Sequence, residues 1–188
     1  MKKPSSFFYR ISSGWVALAG VMLFIVFCLF TLPSQSAQSA AYSQGLGSPD
    51  TSLFYEGSTV YRMAEAYGEA GRSAYVRARW SFDLAFPLVY TFFFLTSISW
   101  LFVKNIPAGS PWRMLNLVPL LGMGFDYLEN AATTLVMTTY PGSSLIGQNL
   151  ASISTPFKWL FIAASFLLLF AGVGVKLARR VRKGKVSS

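Results

Sequence analysis

Apolar residues gather in four blocks separated by polar segments, at 15–32, 80–103, 112–138 and 156–177. A hydrocarbon core of about 30 Å takes roughly 20 residues of helix, so each block reads as a membrane span. Lys2, Lys3 and Arg10 precede the first block and Pro33 follows it. A basic start, an apolar stretch and then small residues, with Ala37-Gln38-Ser39 resembling a cleavage site, also fit a secretory signal peptide. The apolar stretch exceeds the roughly 7 to 15 residues of a signal core, which favours a retained helix.

The segments between blocks differ in kind. Residues 33–50 are rich in Ser, Gln, Ala and Gly, with Pro33 and Pro49 at the edges, and read as a linker. From Ser58 to Trp80, Tyr61, Ala64, Tyr67, Gly71 and Tyr75 recur near helical spacing, with Arg62, Glu65, Glu69, Arg72, Arg77 and Arg79 between them. That pattern predicts an amphipathic helix on the membrane surface leading into the second span, with Gly68 and Gly71 as places for it to break. Pro141-Gly142 marks a turn, and 143–155 reads as a polar loop.

The chain is therefore expected to be all-α and polytopic: a four-transmembrane-helix bundle with an amphipathic extracytoplasmic helix between spans 1 and 2. The segments are an N-terminal tail (1–14), span 1 (15–32), linker and amphipathic helix (33–79), span 2 (80–103), a short loop (104–111), span 3 (112–138), an outer loop (139–155), span 4 (156–177) and a basic tail (178–188). Lys and Arg concentrate in the N-terminal tail, at Lys104 and Arg113, and in the C-terminal tail from Lys176 to Lys185. Basic residues on short flanks stay cytoplasmic. Both termini are expected there, in a bacterial inner (plasma) membrane.

Composition narrows the chemistry. The 188 residues are 53% hydrophobic and only 12% charged, with one cysteine and no histidine. Imidazole-based catalysis, the usual zinc sites and dithiol chemistry are excluded, and no cofactor or metal site is expected. The net charge of +9 is explained by the cytoplasmic flanks meeting anionic headgroups. Membrane lipids are the expected partners, with a small apolar ligand or a membrane protein besides, and no nucleic acid.

Three of the seven acids, Asp83, Asp126 and Glu129, fall within spans. A charge at mid-span costs about 2.5–3.5 kcal/mol on insertion scales, so such residues face the bundle interior and find partners. At about 1.5 Å per residue, Asp126 and Glu129 lie about 17 and 12 Å from the outer end of span 3, and Asp83 about one turn below the outer surface. Asp126, Glu129 and Asn130 share one helix face with Gly122 and Thr133. Tyr90 lies near the level of Glu129, and Lys158 with Arg72, Arg77 and Arg79 are the cations within reach.

Two readings follow. The polar groups are either glue that fixes helix register, or the floor of an outer-side pocket formed by Asp83, Tyr90, Asp126, Glu129, Asn130, Lys158, Arg72 and Arg79. Such a pocket would bind or move a lipid, small amphiphile or cation. Asp126 and Glu129 as acid and base of a lipid-modifying enzyme, or an accessory subunit of a larger complex, are the alternatives. Phe92-Phe93-Phe94 reads as lipid-facing packing.

Gly122-Met123-Gly124-Phe125-Asp126, with Asp83, resembles the Gly-x-Gly-Asp arrangement of intramembrane aspartyl proteases, whose two aspartates activate a water. Here an extra residue separates the second glycine from the aspartate, and the family's other motifs are missing. The two glycines are better explained as a close-packing or flexible point, and no family is assigned.

Overall fold

The computed structural model describes residues 3–186. Lys2 and the side chains of Lys3, Lys183 and Lys185, on which the expected orientation partly rests, lie outside the described residues. The chain forms α1 (Lys3–Ile11), α2 (Gly14–Ser43), α3 (Gly57–Arg79), α4 (Phe82–Phe102), α5 (Val118–Thr139) and α6 (Leu145–Val186), with 3-10 turns at Pro49–Thr51 and Pro111–Leu117. No strand occurs among the described residues. Three helical stretches are long and apolar enough to cross a membrane: Gly14–Ser43, Gly57–Phe102 and Leu145–Arg182. α5 has the length, but Asp126, Glu129 and Asn130 dilute its apolar content.

Helix α2 departs from expectation. Ser13 caps its start by accepting from the Val16 amide at 3.3 Å, and the helix then continues through Pro33 to Ser43, across residues expected to be linker. Proline removes one backbone donor, whereas Ser, Gln and Ala extend a helix at modest cost. The extension also has something to pack on: Tyr42 meets Tyr67 edge-on at 5.0 Å. A Cβ on Gly71 would come within 3.0 Å of Tyr42. The helix stops where Gln44, Gly45 and Gly47 take positive φ.

Helix α3 breaks where expected, at Gly68 (φ 62°, ψ −179°), a backbone conformation that only glycine adopts freely. Val60, Met63, Ala64, Tyr67, Gly71 and Tyr75 form its buried stripe. That stripe joins Val136 and Met137 of α5 and Ala151 of α6 in one core cluster. Arg62, Glu65, Glu69 and Arg77 are exposed.

Helix α4 is apolar on all faces, as a central element must be, and touches α2, α5 and α6. Its phenyl rings interleave with those of α2, Phe24 on Phe93 at 4.7 Å and Phe27 on Phe86 at 5.5 Å. Phe93 and Phe94 are thus buried, and only Phe92 of the run is exposed, because α2 covers the face assigned to lipid.

Helices α5 and α6 form the most extensive pair. The expected outer loop 143–155 is mostly helix: α6 starts at Leu145, with the Ser144 hydroxyl accepting from the Gly147 amide at 3.1 Å. It also runs past 177 to Val186.

The opposite end of the bundle is closed by α1, which lies in the expected N-terminal tail. Ser5 donates to Asn116 at 2.9 Å, and Asn116 donates to Ser99 at 2.9 Å. Arg113 reaches the carbonyls of Val103 (2.8 Å) and Ile106 (2.9 Å) beyond the end of α4, and its guanidinium stacks 4.6 Å from the Tyr9 ring. A residue that charge patterning assigns to topology is therefore also a helix cap.

Candidate functional site

A cavity of about 440 Å³ lies between α2, α4 and α6. Its walls are Phe24, Cys28 and Leu32 from α2, Phe82, Phe86 and Phe94 from α4, and Ile162 and Phe166 from α6. The α2 residues recur at helical spacing and continue past Pro33 as Gln35, Ser36 and Ser39, so one face of one helix changes from apolar to polar along the slot. Asp50, Arg79, Asp83, Asp126 and Lys158 are the charged groups that line it, with Asp126 bonded to Tyr90 two turns further along α4 than Asp83.

Arg79 sits between two carboxylates. It is ion-paired with Asp50 and, at 2.5 Å, with Asp83 one turn along. The Tyr75 ring lies 4.5 Å from its guanidinium. Asp50 is fixed by the Ser48 hydroxyl at 2.5 Å in the turn Pro49–Thr51, and that segment is tied down where Trp159 donates to the Ser52 carbonyl at 2.8 Å.

Glu129 is fully buried and ion-paired with Lys158. Its other oxygen accepts from Tyr55 at 3.1 Å and from Thr155. Burial, and then the adjacent Glu129 carboxylate, push the Tyr55 hydroxyl well above the ordinary tyrosine range, so it remains a donor. This cluster joins α5, α6 and the loop before α3, and Glu129 has no face on the cavity.

Asp126, one turn earlier on α5, has a different setting. It lines the cavity, and the hydroxyl of Tyr90, another lining residue, donates to its Oδ2 at 3.0 Å. The cations whose fields reach it are Lys158 and Arg79, and each is already in contact with another carboxylate.

Of the eight residues expected to share a pocket, Asp83, Tyr90, Asp126, Lys158 and Arg79 line the cavity. Glu129 stands behind it. Asn130 is buried and donates to the Asp83 carbonyl at 3.4 Å, while its Oδ1 has no hydrogen-bond partner among the described residues. Arg72 is elsewhere: it donates to the Ala64 carbonyl at 2.9 Å, in the last turn before the Gly68 break, and stacks 4.6 Å from the Tyr140 ring. The interrupted turn needs a donor, and Arg72 supplies it.

Sequence reasoning missed Asp50, Tyr55 and Thr155, which reach the site only through tertiary packing. It also missed the α2 wall, although the spacing of Phe24, Cys28, Leu32, Gln35, Ser36 and Ser39 was a readable signal.

The two aspartates of the Gly-x-Gly-Asp resemblance both line the cavity, but one is held by arginine and the other by tyrosine. The glycines are not required by packing: a Cβ on Gly122 would meet nothing closer than 3.6 Å, and one on Gly124 would meet nothing within 4 Å. Among the described residues no group of three or more Cys, Asp or Glu side chains could hold a metal ion. No protein-family model, no curated protein and no solved structure matches the chain.

Proposed function

We propose that this is a four-span membrane protein whose slot takes a single-chain amphiphile, head among the charged groups and chain between α2, α4 and α6. The spans are α2, α4, α5 and α6, with α3 and the 44–56 segment on the outer side and both termini in the cytoplasm. α5 crosses despite its acids because its polar face is turned inward and its acids are paired or hydrogen-bonded, the condition under which membranes tolerate such residues.

The observation that carries the reading is the cavity itself, about 440 Å³ with phenyl and aliphatic walls and charged groups in its lining. Small-ligand pockets run from roughly 300 to 1,000 Å³ and pair apolar walls with a few placed polar groups. The lower end of that range suits one chain rather than a two-chain lipid. From Asp83 to Phe94 is about 16 Å along α4, close to half the thickness of a bilayer core. An amphiphile would thus keep the orientation it has in the outer leaflet. The acid–base enzyme reading has less support, since Glu129 is turned away from the cavity and engaged by three side chains.

The test is native mass spectrometry of protein released from lipid discs, comparing wild type with Cys28→Trp, whose indole would fill the slot from its α2 wall. Bound amphiphile is expected on the wild type and not on the variant. Equal adducts on both would place the lipid on the outer surface and end the slot reading.

A further inference from the structure

In the slot and directly behind it, carboxyl groups outnumber cations among the described residues. Four carboxylates (Asp50, Asp83, Asp126 and Glu129) meet two cations, Arg79 and Lys158. Glu129 occupies Lys158, while Asp50 and Asp83 share Arg79. Asp126 is left with a tyrosine hydroxyl as its hydrogen-bond donor, and it is nine-tenths buried.

We propose that the slot selects an amphiphile with a cationic head, an alkylamine or alkylammonium, and that Asp126 is the residue that receives it. This deepens the reading above and rests on it. An anionic head would find both cations already engaged by carboxylates. A buried carboxylate without a paired cation takes up a proton rather than keep its charge; a cationic head supplies Asp126 with the counter-charge that lets it ionise and pair, which a neutral head does not. Phe82, Phe86 and Tyr90 line the same wall.

Three photoreactive probes with one C12 chain and a diazirine near its end separate the possibilities: one with an amine head, one with an alcohol and one with a carboxylate. Each is applied to the full-length protein in lipid discs, and labelled peptides are mapped by mass spectrometry. The amine probe is expected to label the Phe86–Phe94 and Ile162–Phe166 walls at least tenfold more than the other two. Asp126→Asn retains an acceptor for Tyr90, and in it the amine-to-alcohol ratio is expected to fall to near one while alcohol labelling persists. An amine preference unaltered by Asp126→Asn, equal labelling by amine and alcohol, or a preference for the carboxylate would overturn the charge assignment and leave the slot standing. Absence of wall labelling by any probe would remove the slot reading as well.

Discussion

Lys158 and Glu129 form an ion pair in which the side chains retain 4% and 0% of their surface. Replacing Glu129 by Gln leaves the ammonium buried without the carboxylate it contacts. Breaking a buried pair from one side costs about 3–5 kcal/mol. Thermal unfolding in mild detergent should show a loss of that size, and adding Lys158→Met should recover most of it. A single Glu129→Gln variant as stable as wild type would mean that the pair does not hold α5 to α6.

Gly20 carries the approach of α2 to α4: a Cβ there would sit 3.0 Å from Thr96 Oγ1 and 3.2 Å from the Phe93 backbone. Gly20→Val should destabilise the protein by about 1–3 kcal/mol and loosen the α2 wall. Gly124→Ala, in open space, should be neutral or gain up to ~1 kcal/mol in helix propensity. Paired melting curves check both, and a Gly124→Ala loss comparable to that of Gly20→Val would show a packing role for the Gly-x-Gly segment after all.

At the other end of the bundle Tyr9 donates to the Arg113 carbonyl at 3.0 Å. Burial raises its pKa to about 12 from an ordinary value of 10, with Arg113 pulling the other way. Because the folded value lies above the unfolded one, the stabilisation is complete below pH 10 and fades as pH rises through about 12. Tyr9→Phe should cost about 1 kcal/mol at pH 7 to 9, and its deficit against wild type should close above pH 10. A deficit constant up to pH 12 would assign the effect to ring packing rather than to the hydroxyl.

Orientation is open to a direct check by cysteine accessibility on a Cys28→Ser background. Ser143→Cys and Ser58→Cys should react with an impermeant maleimide from outside intact cells, and Lys104→Cys only after permeabilisation. Reaction of position 143 from the cytoplasm would invert the topology and, with it, the leaflet facing the slot.

Hydropathy alone reveals the apolar parts of α2, α4 and α6, and the three-to-four-residue spacing of Asp126, Glu129 and Asn130 gives their shared face on α5. Gly68 is legible as a break because glycine is the residue that takes that backbone conformation. The course of α2 beyond Pro33 is not, since Ser, Gln and Ala carry no strong local signal and the extension is settled by Tyr42 packing on Tyr67. Periodicity cannot separate Asp126 from Glu129 either. Their different roles depend on Lys158, Tyr55 and Thr155, which arrive from distant parts of the chain.

Pro33 lies in α2 between Leu32 and Gln35, where the slot changes from apolar to polar. Its missing N–H leaves the Leu29 carbonyl without the usual helical partner, and next to it Leu29 and Phe30 are 64% and 74% exposed. α2 is thus a thin partition with its weakest point halfway along the slot. On the function proposed above, the residence time of an amphiphile in the slot would follow how often that partition flexes. Pro33→Leu would slow arrival and departure together, lengthening residence time while leaving affinity nearly unchanged.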